Sequence, residues 1–219
     1  MSVEDRPHGL APFIDHSCLR PNATAADVDR ACAEAVEHGF RGVVVPGRAV
    51  AQARRRLADT GVKVVAVVGF PHGTSAVDVK AFEATRASAD GADEIDYVIA
   101  VDAAARGDLS AVRDECAAIL RAAPGRRVKA ILEIGFLDER RRVDTARALA
   151  ESGVHFVKTC TGFGPGACTE EDVKLLVRAV AGKALVKASG GVKDRSQALA
   201  MLRAGAAVIG TSNGPAICG

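Results

Sequence analysis

Eight short β-branched runs alternate with helical stretches along the chain, at residues 12–16, 42–45, 62–68, 94–100, 128–134, 155–160, 184–189 and 207–211. The second, third and fifth are almost continuously apolar, the pattern of parallel strands covered on both faces. Between the runs, apolar residues recur at helical spacing, with chemical start and stop signals. Thr24 and Asp27 are spaced as a capping box, Val28, Ala31, Cys32, Ala35 and Val36 form one stripe, and Gly39 lies just past its end. Thr169 and Asp172 repeat the box ahead of Val173, Leu176, Val177 and Val180, with Gly182 as the stop. Further helices are predicted over 75–90, 108–123, 138–152 and 194–204.

Alternation through eight units, with no Pro/Ser-rich linker, predicts one α/β domain over residues 1–219, a single (β/α)8 TIM barrel. Residues 1–10 read as a flexible N-terminal segment. A doubly wound open sheet is the competing architecture. It would carry a glycine-rich fingerprint after the first strand, and none is there.

Composition changes the picture mainly by exclusion. A balance of 29 Lys+Arg against 27 Asp+Glu leaves a charge of +2, unlike a nucleic-acid or polybasic membrane surface. Aromatics are only 4%, too few for base-stacking platforms. No apolar run is long enough to span a membrane, and the first nine residues lack a signal-peptide core. The six cysteines form no CxxC pair and no zinc spacing, so free thiols in a reducing cytoplasm are expected. No His/Asp/Glu grouping demands a metal, and no cofactor is expected.

Chemistry in a barrel sits at the C-terminal ends of the strands, so charges there are the candidates. In the sixth run the period of two puts Phe156, Lys158 and Cys160 on one face; in the seventh it groups Leu185, Lys187 and Ser189. Consecutive barrel strands are neighbours about 4.8 Å apart, which would bring the two lysines together. Each alone is open to a plainer reading, a lysine snorkelling to water. Two ammonium groups in a partly dry pocket depress each other's proton affinity, one route to a nucleophilic amine. Asp96 shares a face with Glu94 and Val98 and could relay protons or serve as a counter-ion. On that logic Asp96 pairs with Lys187, leaving Lys158 free to react. Asp15 and Glu133 also fall near strand ends and read as supporting, structural groups. Small-residue loops follow the last three strands and carry Gly162, Gly190, Gly191, Ser212 and Asn213. Such loops suit an anion, commonly a phosphate. His16 and His72 read as structural or substrate-lining, and Cys160 and Cys168 lie near the mouth without a histidine partner.

These segments resemble the deoxyribose-phosphate aldolase family, class I lyases of deoxynucleoside catabolism, from about Ile14 to Ile217. The resemblance rests on IDHSCLRP at 14–21, VVGFPHG at 67–73, GADEID at 91–96, FVKTCTG at 156–162, VKASGGV at 186–192 and GTSN at 210–213. It implies that Lys158 is the Schiff-base lysine, Lys187 the lysine that tunes it and Asp96 the acid/base aspartate. It also implies that Gly162, Gly190, Gly191, Ser212 and Asn213 bind phosphate. The chain departs from the family's usual pattern at Ser17, Cys18, Arg20, Cys160, Asn213 and Val44, and it closes on Cys218-Gly219 where longer members end in tyrosine.

The expectation is therefore a metal-independent cytoplasmic lyase. It would reversibly cleave 2-deoxy-D-ribose 5-phosphate to D-glyceraldehyde 3-phosphate and acetaldehyde. Its expected partners are a sugar phosphate and an aldehyde, with no nucleic acid and no membrane; a homodimer or a higher homo-oligomer is left open. Two alternatives stand beside it: a related lysine-dependent aldolase for another sugar phosphate, and a non-catalytic phosphosugar-binding barrel.

Overall fold

Side chains supplied by the sequence close the open ends of most helices. In α1 (Ala25–His38) the Thr24 hydroxyl accepts from the Asp27 amide, and Asp27 accepts from the Thr24 amide, forming the predicted box. α7 (Glu170–Val180) opens the same way on Thr169 and Asp172. Single aspartates cap α5 (Leu109–Ala122), α6 (Glu139–Glu151) and α8 (Arg195–Arg203). Gly39 ends α1 at φ 69°, a left-handed turn that costs glycine nothing.

The computed structural model describes residues 9–219, so the predicted flexible segment lies outside the described residues as far as position 8. Leu10, by contrast, is buried in the core. The described residues form eight parallel strands in one closed barrel, in chain order. They are β1 (Ile14–Ser17), β2 (Gly42–Pro46), β3 (Lys63–Val68), β4 (Glu94–Val98), β5 (Arg127–Ile131), β6 (Phe156–Lys158), β7 (Leu185–Ser189) and β8 (Val208–Thr211). The eight predicted runs correspond to these strands, and the open-sheet alternative is gone.

Three short helices have no counterpart in the sequence reading: α2 (Val50–Arg56), α4 (Val101–Arg106) and α9 (Gly214–Cys218). At five to seven residues each is too short to show a full helical period. α3 (Val77–Ala89) begins two residues later than predicted, with no side-chain cap.

Apolar side chains from the outer strand faces and the helices merge into one core around the barrel. The barrel interior is divided. Val44, Val65 and Val67 form a small apolar cluster under Leu19 and Phe70, while β4 to β7 and β1 each contribute charge. Register fixes the site: Asp96 pairs with Lys129, Lys158 with Lys187, and Asp15 with both Gly42 and Gly210.

Among the described residues, one fully buried ion pair lies within the helix layer. The Lys80 amine donates to Glu115 Oε1 (2.6 Å) and to the Val98 carbonyl (2.9 Å), and Glu115 Oε2 accepts from the Ala100 amide (2.7 Å). Both side chains are essentially inaccessible. The pair therefore anchors the chain as it leaves β4. Lys80→Met should lower stability in urea unfolding by about 3–5 kcal/mol, because Glu115 is left charged and buried. Lys80→Met/Glu115→Gln should recover most of that loss. A loss below about 1 kcal/mol for the single variant would show that Glu115 is satisfied by backbone alone.

Candidate active site

Within the charged half of the barrel, one carboxylate serves three lysines. Asp96 Oδ2 accepts from Lys187 (2.8 Å) and Lys158 (3.1 Å), while Oδ1 accepts from Lys129 (2.7 Å). Asp15 Oδ2 holds Lys187 from the other side at 2.5 Å, and its Oδ1 takes Arg41 at 2.7 Å. Glu94 lies lower, between Arg41 and Lys129, at 2.5 Å from each. Every side chain of this network except Arg41 is at least 95% buried.

Four cations thus meet three anions, Arg41, Lys129, Lys158 and Lys187 against Asp15, Glu94 and Asp96. A buried net charge is costly, so one proton is poorly held. Burial is the largest influence on Lys158 and, helped by the Lys187 ammonium and opposed by Asp96, brings it down to about 8. Burial also works against the charge on Lys187, but Asp15 and Asp96 outweigh it and hold Lys187 above the usual lysine value. Asp15 would be raised by burial, yet Lys187, Lys129 and Arg41 bring it to about 2. Asp96 is likewise held well below the carboxylate range by its three lysines. The weakly held proton is therefore the one on Lys158.

Above this floor opens a cavity of about 550 Å³. Lys158 and Lys187 are on its wall, as are Gly162, Gly190, Gly191, Ser212 and Asn213. The five predicted loop residues are thus brought together at one mouth with both lysines. Asp96, Asp15 and Glu133 are not on that wall. Gly190 (φ 91°) shows why a side chain is excluded: a Cβ there would stand 2.7 Å from the Cβ of Cys160. Gly210, on β8, makes room of another kind. A Cβ there would lie 3.0 Å from Lys187 Cε and 2.9 Å from the Ser189 Cβ.

Glu133 stands apart from the charge network. Its Oε2 accepts from the Thr161 amide at 3.1 Å and from the Thr161 hydroxyl, pinning the loop that carries Gly162 and Phe163. Phe163, on the cavity wall, meets Phe70 edge to face at 5.4 Å. His16 is on the wall and binds Glu34 at 2.8 Å; His72 is exposed and off it. Burial pushes the Cys160 thiol up to about 12 and Cys168 up to about 11, so both are inert thiols.

Comparison with known proteins decides the family. The profile described as DeoC/LacD family aldolase matches residues 10–219. A deoxyribose-phosphate aldolase from Thermus thermophilus is 45% identical over 95% of this chain and 94% of its own. Among solved structures, one titled "QR15, an Aldolase" superposes with a TM-score of 0.92 at 34% identity, covering 95% of this chain and 94% of that one. The deoxyribose phosphate aldolase of Aeropyrum pernix, titled as a unique tetrameric structure, gives 0.91 at 32% identity, covering 97% and 91%.

This chain belongs to the DeoC/LacD aldolase family. The barrel is therefore that of a lyase, and the non-catalytic binding alternative falls away.

For the aldolase floor, the sequence reading needs two corrections. Asp96 does not belong to Lys187 alone; it is shared with Lys158 and Lys129. Nor do the two ammonium groups depress each other: Asp15 and Asp96 hold Lys187 above the usual lysine value, and Lys158 alone is lowered, by burial first and with the help of the Lys187 charge. Three members of the network went unread: Lys129, Glu94 as an ion-pair partner, and Arg41. The signal for Lys129 was present, since it lies two residues before Ile131 on one face of β5, but the run around it is otherwise apolar. Competitive acetylation at graded pH, read by peptide mass spectrometry, should show Lys158 reacting with a midpoint near 8. Surface lysines should follow only at higher pH, and Lys187 should stay unlabelled while the fold persists. A Lys158 midpoint equal to that of the surface lysines would contradict this account of the floor.

Proposed function

We propose that this aldolase reversibly cleaves 2-deoxy-D-ribose 5-phosphate to D-glyceraldehyde 3-phosphate and acetaldehyde through a Schiff base on Lys158. The observation that carries the reading is a single loosely protonated amine on the cavity wall, beside a firmly protonated one. The names of the relatives support the substrate.

The neutral Lys158 amine adds to the C1 aldehyde of the open-chain sugar, and loss of water leaves an iminium. Removal of the C3 hydroxyl proton breaks the C2–C3 bond, and the electron pair flows into the iminium to give an enamine. The break falls there because only C2 is adjacent to the iminium carbon; the next bond along has no such sink. Protonation of C2 and hydrolysis release acetaldehyde and restore Lys158. Lys187 faces the cavity and Asp96 lies behind it, so Asp96 reaches the reacting atoms through Lys187 or through water. The ammonium of Lys187 also stabilises the oxyanion of the carbinolamine stage.

The phosphate is assigned to Gly162, Gly190, Gly191, Ser212 and Asn213, with Lys193 also on the same wall. Held there, it turns binding energy into alignment of C1 with Lys158. Six free cysteines support a reducing cytoplasm as the working compartment, and among the described residues no helix is long and apolar enough to cross a membrane. A homo-oligomer is part of the reading, supported by the tetrameric Aeropyrum pernix relative.

Borohydride with acetaldehyde should place a single N-ethyl group on Lys158, and Lys158→Leu should abolish specific labelling at every pH. Label scattered over surface lysines, or on Lys187 alone, would overturn the role. Unphosphorylated deoxyribose should show a kcat/KM lower by about a hundredfold or more. Equal efficiency would remove the phosphate site. A faster turnover of another sugar phosphate across a small panel would favour the related-aldolase reading, for which Arg20 and Asn213 on the wall are the motive.

A further inference from the structure

Lys129 is fully buried, off the cavity wall and unused by the chemistry above. Its surroundings are nevertheless built. From β4 come Glu94 Oε2 at 2.5 Å and Asp96 Oδ1 at 2.7 Å; from β1 comes Asp15 Oδ2 at 3.9 Å. From β6 the Phe156 ring lies with its centroid 5.7 Å from the amine, and Lys158 follows two residues on. β7 supplies Lys187, joined to Lys129 through Asp96 and Asp15. Arg41, just before β2, reaches the far side of Glu94.

We propose that Lys129 is a positioning residue for the aldol chemistry: by holding Oδ1 of Asp96 it keeps Oδ2 turned between Lys158 and Lys187. The proposal rests on Lys158 being the Schiff-base amine. A carboxylate at the end of a short side chain turns readily about its terminal bond. Two lysines alone would pull both oxygens of Asp96 upward, one to each. A carboxylate so divided would bind Lys158 as tightly as Lys187 and hold its proton in place. The amine below removes that option by occupying Oδ1. Oδ2 then serves two donors at once, at 2.8 Å and 3.1 Å, and the longer contact belongs to Lys158. Simple charge balance for Glu94 does not account for Lys129, because Arg41 already meets Glu94 at 2.5 Å. Neither does it require contact with Asp96.

The role is separable from structural support. Lys129→Met removes the tether. Lys129→Met/Glu94→Gln removes it together with one buried anion, so that the fold carries no new unpaired carboxylate. In either folded variant, borohydride trapping on Lys158 should persist, while kcat falls about tenfold or more and KM changes less than about threefold. The acid limb of the kcat profile should move up by about one pH unit, since Asp96 then holds the Lys158 proton more firmly and one neighbouring cation is gone. Lys129→Arg should restore part of kcat. A folded variant with kcat within about twofold of the parent and an unmoved acid limb would overturn the proposal. Independently of any variant, a crystal structure of the borohydride-reduced parent should retain the Lys129–Asp96 Oδ1 contact; an Asp96 swung away from Lys129 in that adduct would also overturn it. Absence of trapping in the parent would instead defeat the Schiff-base reading itself.

Discussion

Asp96 is one carboxylate divided among three amines, and the behaviour of the site follows from the inequality of its shares. Lys187 has a second carboxylate in Asp15, and Lys129 has a second in Glu94. Lys158 has only the third and longest contact to Asp96. When a buried cluster holds one positive charge too many, the proton that leaves is the one with the weakest compensation. No separate base is needed to make Lys158 neutral. Burial does so first and the excess charge with it, and loss of that proton leaves three cations against three anions.

That inequality needs a dry setting, and the other half of the barrel provides it. Val44, Val65 and Val67, roofed by Leu19 and Phe70, line the interior opposite the charges. That side of the interior is hydrocarbon, so the lysine amines find their partners among the carboxylates. The low dielectric that makes the surplus charge costly also strengthens each remaining pair. The interior opens to the cavity above Lys158 and Lys187, where the loops after β6, β7 and β8 offer glycine backbone. The barrel thus grades from apolar wall, to balanced ions, to an open anion-accepting rim.

Much of this was legible in residue order. The period of two placed Lys158 and Lys187 side by side, and register confirms them as partners. Capping residues located the longer helices because Thr24, Asp138, Asp194 and Thr169 act through neighbours three positions away. What was not legible depends on closure of the ring. Asp15, at one end of the chain, meets Lys187 only because β1 pairs with β8, so it read as supporting when it is in the network. Lys129 was hidden among apolar neighbours, and Arg41 lies outside any strand, its partners Asp15 and Glu94 coming from β1 and β4. α2, α4 and α9 owe their helicity to packing against the barrel, which local sequence does not display.

Gly210 carries a consequence for how this floor can change over time. Its missing side chain is space already occupied by the Lys187 methylenes and Ser189. A residue larger than glycine would meet the Ser189 Cβ at 2.9 Å and the Lys187 Cε at 3.0 Å, so both neighbours must give way to admit it. Shortening Lys187 relieves one of the two contacts and discards the firmly held ammonium. Gly210, Lys187 and Ser189 are therefore coupled, with a loss of activity standing between the present floor and any rearranged one. Lineages that drift freely at the rim should hold this glycine–lysine pair together, and a library that varies either position should vary both at once.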